Sequence, residues 1–585
     1  MALLRQFYTN FTSGELSPLL SSRIDTEAYS NGAKTIRNCR IRAQGGATRR
    51  PGSSYLQTLS NIPYQMERYI YDEDEAYILL FSNTRLDIVD LADTSTILET
   101  ITSCPWTTNE IGKIVVSQSG DKMIIVNTAF SMRELTRLSA TDFDLSEYTF
   151  YENDGIRFTS YYKFAAASTT ITFSSTSAGS RTVTASANAF TANMVNTYLR
   201  LVDTSSNIRF AKITAYTSET VVTATLNTAL ANAVVTDWQE EVFSAKRGYA
   251  RTVLFHDQRL VFGGSLELPN YLFLSKVGEF TDFEVGTSLD DEGMQVQIAE
   301  NQVSEIKALA SLRHLTIFTS EQELYVPTTE NRPLTPSTIT VKKQTSFGSG
   351  NVQPVEFDGA VVYLTKSKGA VREFIYSDIS QAYNSDALTI LSTDLIGTPN
   401  AIEAQREASD QVEGYLFIIN SDGHMPVFMS IRKENLQGWV RYETNGSYKN
   451  IVNVNREIYM VVERTVNSGT VTYLEKMDNT RFLDASVNKV SGSATTSYQI
   501  AHMPNTTVHV RSGNYSLGSY TTDGSGNITL SSAVTSCEIG MNFTPQITTL
   551  PPEFQLEDGV SVGQKRRIVR AVLDLYETLN VKAKG

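Results

Sequence analysis

Five histidines could do acid–base or metal chemistry: His256, His314, His424, His502 and His509. None sits in an HExxH pair or a His/Cys cluster, the spacings that put two ligands on one ion. His502 and His509 are neighbours in sequence but lack a third ligand. They read as packed or surface residues, and no metal or cofactor site is expected. Paired carboxylates are the other candidates, because glycoside hydrolysis needs two at a set separation. Asp290, Asp291 and Glu292 form one group, and the run Asp72 to Glu75 another. Both lie in expected turns, where solvated carboxylates are ordinary. SFGSGN (Ser346–Asn351) has two of the three glycines of GxGxxG and precedes a β run, so it reads as a turn, not a phosphate cradle. There is no GxSxG elbow and no Walker sequence. The chain is expected not to be an enzyme, and no residue is assigned as catalytic. A site assembled from carboxylates on different sheets stays open, which keeps a carbohydrate-degrading or carbohydrate-binding protein as the alternative.

The elements that would position such residues are strands. The 585 residues carry 19% charged side chains and 41% hydrophobic ones. The charge deficit is filled by Ser, Thr and Asn, which with β-branched residues favour strands and turns. The net charge of −13 argues against gripping nucleic acid, which takes Lys and Arg, but not against a surface that DNA slides past. Cys39, Cys104 and Cys537 are far apart and in no CxxC pair, so three buried thiols are expected. The start, MALLRQFYTNFTSGELSP, lacks the apolar core of a secretory signal, and no run approaches a membrane helix.

Residues 1–63 are turn-rich and aperiodic, with Arg37, Arg40, Arg42, Arg49 and Arg50 close together. They read as an arm that docks on something else; a solvated or locally paired arm is the plainer alternative. Residues 64–150 contain short strands with tight polar turns, the first strands of a β-propeller. Within 151–245, the stretch Ala165–Thr236 has only six charged residues, Arg181, Arg200, Asp203, Arg209, Lys212 and Glu219. Low charge with strand-like alternation points to an inserted Ser/Thr-rich small β-domain in place of a disordered linker. Residues 246–490 resume the meander, with groups near Arg251–Leu274, Val303–Val326, Val352–Tyr376, Val412–Tyr442 and Ile451–Met477. Repeated four-strand sheets suggest the remainder of a propeller, with a β-sandwich array as the competing architecture. Residues 491–585 form a C-terminal β-module. In its KRRIVRAVLDLYETLNV stretch the apolar residues fit neither period cleanly, and a strand is expected over a helix. Asp154-Gly155, Asp358-Gly359, Asp422-Gly423 and Asp523-Gly524 fit type I′ hairpin turns. The expected fold is therefore mainly β.

One set of residues resembles a known family. Phe11-Thr-Ser-Gly14-Glu15-Leu16-Ser17-Pro18, Arg23-Ile-Asp25, Tyr29, Asn38, Gly45-Gly46 and Arg49-Arg50-Pro51-Gly52 resemble the start of tail tubular protein B, the nozzle protein of short-tailed phages. Matches continue in order through Gly248-Tyr249, Gln258-Arg259-Leu260, Phe262 to Ser265, Leu315 to Thr319, Val371-Arg372-Glu373, Trp439, Glu463-Arg464, Tyr473-Leu474-Glu475 and Leu550 to Glu553. The pattern departs at Ala250, where such proteins often have Pro. The resemblance implies a virion tail protein made in the host cytoplasm. It implies a homo-hexamer that rings the DNA channel below an adaptor (gatekeeper) protein, with tail fibres or spikes nearby. Genomic DNA would pass without sequence-specific binding. Gly14, Glu15, Arg23, Asp25, Arg49 and Arg50 would form the docking arm toward the adaptor or a neighbouring subunit.

Overall fold

In the computed structural model the described residues are 7–60, 65–286, 289–299, 302–328, 334–367, 369–406, 413–432, 436–552, 555–556, 559–560 and 568–584. Among them the chain is mainly β, in many separate sheets, with one α-helical turn at Glu27–Ser30. It divides into two units, residues 63–388 and residues 1–62 with 389–585.

The first unit contains five four-stranded antiparallel sheets, each a meander in sequence order. They run from Gln65–Ile70 to Glu99–Thr102, from Val115–Ser119 to Asp142–Glu147, from Thr252–His256 to Met294–Gln297, from Ile306–Ser311 to Lys342–Thr345, and from Val355–Phe357 to Ala382–Ala387. Successive sheets share cores. Met123 and Ile125 pack with Tyr77, Leu79 and Phe81 of the first sheet, whereas Ile124 and Val126 pack with Leu260, Phe262 and Phe273 of the third. Val261, Leu272 and Leu274 turn to Leu315 and Ile317 of the fourth, and Phe318 to Val361 and Phe374 of the fifth. Because side chains alternate faces along a strand, a sheet buried on both sides reads as an unbroken apolar run. YILLF at Tyr77–Phe81 is such a run, and all five residues are buried.

Between the second and third meanders lies an eight-stranded sheet spanning Tyr161–Tyr162 to Asp237–Glu241. Its interior holds Ile171, Phe173, Val183, Leu199, Leu201, Ile213, Val222 and Trp238. The indole N–H of Trp238 donates to the Thr169 carbonyl at 2.9 Å. Strands Val234–Val235 and Asp237–Glu241 are nearly contiguous in sequence but stand at or near opposite ends of the strand order, so the sheet curls round this core.

In the second unit, Pro399–Gln405, Gly414–Asn420, Met425–Ile431 and Leu436–Tyr442 form a meander that Gly14–Glu15, Gly32–Arg37 and Gln546–Thr549 extend to seven strands. An eight-stranded sheet begins with Ser447–Val454, Glu457–Val466 and Gly469–Asp478, continues through Gly52–Leu59, and ends in strands from Asp484–Gln499 to Asn527–Met541. Ala33, Ile36, Phe417, Val427 and Val440 of the seven-stranded sheet pack against Tyr448, Ile451, Met460 and Val462. The strand groups expected near Val412–Tyr442 and Ile451–Met477 thus lie in this unit, each joined by strands from the first 59 residues.

Two expectations are corrected. Asp154-Gly155 and Asp358-Gly359 have positive φ at both residues, as a type I′ turn requires. At Asp422-Gly423 only the glycine does. In the Asp523 loop it is Gly526, not Gly524, that has positive φ, because the Asp523 carboxylate accepts from the Ser525 and Asn527 N–H groups and shapes a longer turn. The strand expected in the C-terminal stretch is also absent. Residues 568–584 have no helix or strand, and their side chains are exposed. The part of that stretch before 568 lies outside the described residues.

Candidate functional site: the N-terminal segment

The segment opens with a backbone constraint. Gly14 has φ +72, and a Cβ there would lie 2.4 Å from the Trp439 nitrogen. Only glycine allows Gly14–Glu15 to pair in parallel with Gly32–Arg37 and touch Trp439. That pairing carries Glu15 inside. Its Oε2 accepts from the Ile36 N–H at 2.8 Å, and its Oε1 from Arg441 at 2.7 Å. Burial raises the carboxyl above its usual range, and these two donors offset part of the rise.

Arg50 is buried too. It donates to both carboxylate oxygens of Asp484, at 2.9 and 2.7 Å, and also to Asn38 Oδ1 and the Pro51 and Glu443 carbonyls. These five acceptors use all five guanidinium N–H groups. The guanidinium also stacks over Phe543, 3.6 Å from the ring centroid. Burial opposes the charge on Arg50, but Asp484, together with Tyr448 and Tyr442, outweighs it and raises the pKa. Burial likewise opposes ionisation of Asp484, and Arg50 outweighs it, holding the carboxyl below its usual range.

A second buried pair adjoins the first. Arg464 donates to Glu475 at 2.8 and 2.7 Å. Thr444 Oγ1 donates to Asp484 at 2.7 Å and accepts from Arg464, so it joins the two pairs. Ser53 donates to Glu475 and accepts from the Ala485 N–H at 2.9 Å. Residues 50–53 are thereby tied to the strands around 475 and 484 by charge-assisted bonds, which are the strong kind.

Arg49 is half-buried. It donates to the Phe482 carbonyl, its guanidinium lies 4.0 Å from the Phe543 ring centroid, and burial pulls its pKa down to about 10. Arg23 and Asp25 are exposed and bond each other at 2.9 and 3.0 Å; the bond from Arg23 holds the Asp25 carboxyl below its usual range. Beside them Leu19 is 85% exposed on the turn Pro18–Leu20. Of the six residues expected in a docking arm, Gly14, Glu15 and Arg50 are interior, Arg49 is partly so, and Arg23 and Asp25 face solvent.

Sequence reasoning missed Asp484 and Arg441, the partners that fix Arg50 and Glu15. Arg464 and Glu475 stood among the residues of the resemblance, without any sign that they pair. Several of the other candidates for chemistry make structural contacts. Asp72 Oδ1 accepts from the N–H groups of Asp74 and Glu75, and Glu75 pairs with Arg137. The carbonyls of Asp290 and Glu292 accept from Arg259. His502 stacks on Tyr55, and burial pulls its pKa down to about 4. No group of three or more His, Cys, Asp or Glu residues is placed to hold a metal ion among the described residues. The cysteines are buried and free.

Residues 1–251 match a family model described as bacteriophage nozzle protein. Over this stretch the chain is similar to the phage nozzle family. The match supports a structural protein of the bacteriophage virion tail, and implies assembly with other tail proteins. It takes in the N-terminal segment, the first two meanders and the eight-stranded sheet, and ends at the start of the third meander. No curated protein matches the chain. Among solved structures, the crystal structure of Saccharomyces cerevisiae Sqt1 aligns with 73% of this chain and all of its own, at 6% identity and a TM-score of 0.34. A likeness that weak carries no argument. No helix among the described residues is long and apolar enough to cross a membrane.

Proposed function

We propose that the chain is a ring-forming subunit of a phage tail nozzle, six copies enclosing the DNA channel below the adaptor and serving in genome retention and ejection. The observation that carries this reading is the nozzle-family match over residues 1–251. The five consecutive meanders that share cores in series support a propeller as the bulk of the subunit. The net charge of −13 per copy suits a wall along which DNA slides without sticking. Docking on the adaptor or a neighbouring copy is assigned to the exposed part of the N-terminal segment, Leu19, Arg23 and Asp25. Gly14, Glu15, Arg49 and Arg50 serve it by holding that segment in place.

Mass measurement of the native assembly tests the ring. Six copies of a 64.8 kDa chain give roughly 390 kDa. A chain that stays single both alone and with the adaptor, and that cannot be located in virion tails by antibody labelling, would sink the proposal. Arg23→Glu is expected to block joining to the tail without lowering the melting temperature. Normal tail assembly by that variant would remove the docking role from this surface.

A further inference from the structure

The C-terminal stretch presents apolar surface that its own chain leaves uncovered. Ile568, Val569, Val572 and Tyr576 are 71–86% exposed, and Leu573 and Leu575 more than half. Scattered apolar residues on a surface are ordinary; a contiguous run marks a contact. The run is rich in Val, Ile, Leu and Tyr, which favour a strand, yet it forms none here. A strand needs a neighbour, and no described residue pairs with it.

A neighbour is available on every copy. Gln546–Thr549 closes one end of the seven-stranded sheet, paired on one side only with Gly32–Arg37. Its outer edge is open among the described residues, and Ile547 is 37% exposed there. Such an edge is a template for strand addition. The chain is anchored immediately after it, where Tyr8 Oη donates to the Leu550 carbonyl at 2.6 Å and Tyr29 Oη to that of Pro551 at 3.0 Å. Each copy therefore carries both an unpaired donor segment and an unpaired acceptor edge, which do not pair with each other within the chain. Contacts between unlike surfaces of identical chains are heterologous, and when the rotation closes they make rings.

We propose that residues 568–581 are an assembly strap that adds as a strand to the open Gln546–Thr549 edge of a second copy of this chain. The inference rests on the ring reading above and names the contact that would hold neighbouring copies together.

The test uses the full chain. A photo-cross-linking residue replaces Leu573 in a mixture of isotopically heavy and light protein, and adducts are mapped by mass spectrometry. In parallel, Val572→Asp/Leu573→Asp and the parent chain are compared by sedimentation at the highest soluble concentration. The expected result is heavy–light adducts near Ile547, and a double variant that is a single chain with the parent melting temperature. Adducts confined to one chain, adducts elsewhere on a second copy, or a lowered melting temperature in the variant would overturn the strap. So would a variant that assembles like the parent, in which case the ring reading stands and only the strap fails. A parent chain that stays single and gives no adducts between chains also overturns the strap, and virion labelling then decides the ring reading separately.

Discussion

At the scale of single residues, the N-terminal arginines divide by what they touch. Arg50 spends all its donors inside the chain. Replacing it with Ala leaves Asp484 buried without its cation, and breaking such a pair typically costs about 3–5 kcal/mol. Denaturant unfolding of Arg50→Ala should show that loss; a change below about 1 kcal/mol would mean that the pair is not buried as described. Glu241 carries a second residue-scale prediction. Burial pushes its carboxyl up to about 8, although Arg157 lies 3.4 Å away and opposes the rise. Arg157 is shared with Glu152, which Tyr198 and Lys212 also contact. The folded state therefore keeps a proton that the unfolded chain has lost above its usual carboxylate range. Stability should fall as pH rises through the window up to about 8, by at most about 1.4 kcal/mol per unit. Glu241→Gln should flatten the dependence measured by thermal unfolding across that window.

At the scale of elements, the meanders are held by faces, not by single strands. Phe262 meets Tyr148, Phe243 and Phe283 at ring-centroid distances of 5.8, 5.5 and 5.1 Å, between the second and third sheets. Phe262→Ala should cost about 3–5 kcal/mol through lost burial and the cavity left behind. The same change should leave hydrogen exchange in Ile171–Phe173 and Val221–Leu226 of the curled sheet unaffected, since their core is separate. Concurrent loss of protection in both would show that the two cores are coupled.

At the scale of the whole molecule, the eight-stranded sheet is an excursion from the meander series. It leaves and returns at one point, where the Val242 N–H donates to the Ser160 carbonyl at 3.0 Å. Its core draws only on residues 165–238. Replacing residues 165–238 by a short glycine linker, which keeps Tyr162 and Phe164 against the core of the third sheet, should leave the remaining sheets folded with a cooperative unfolding transition. An aggregated or unfolded product would show that the meanders need the insert. Glu240 is the residue to watch in that variant, because it pairs with both Lys246 and Arg247 at the return point.

The sequence by itself determined the β class and the positions of most strands. Alternation, β-branched content and Asp-Gly turns are local, so Lys122–Asn127 or Ala360–Leu364 could be read where they stand. It also carried the nozzle resemblance, whose residues up to Tyr249 fall within the family match while those from Gln258 onward lie beyond it. Only the tertiary structure decided where the residues of the Arg-rich start lie and what they touch. Glu15 finds Arg441, and Arg50 finds Asp484 across 434 residues of sequence, a distance at which no periodicity reports a partner. The same holds for Ile568 to Val581. Their composition favours a strand, but a strand is a relation between two segments, and no described residue of the chain pairs with them.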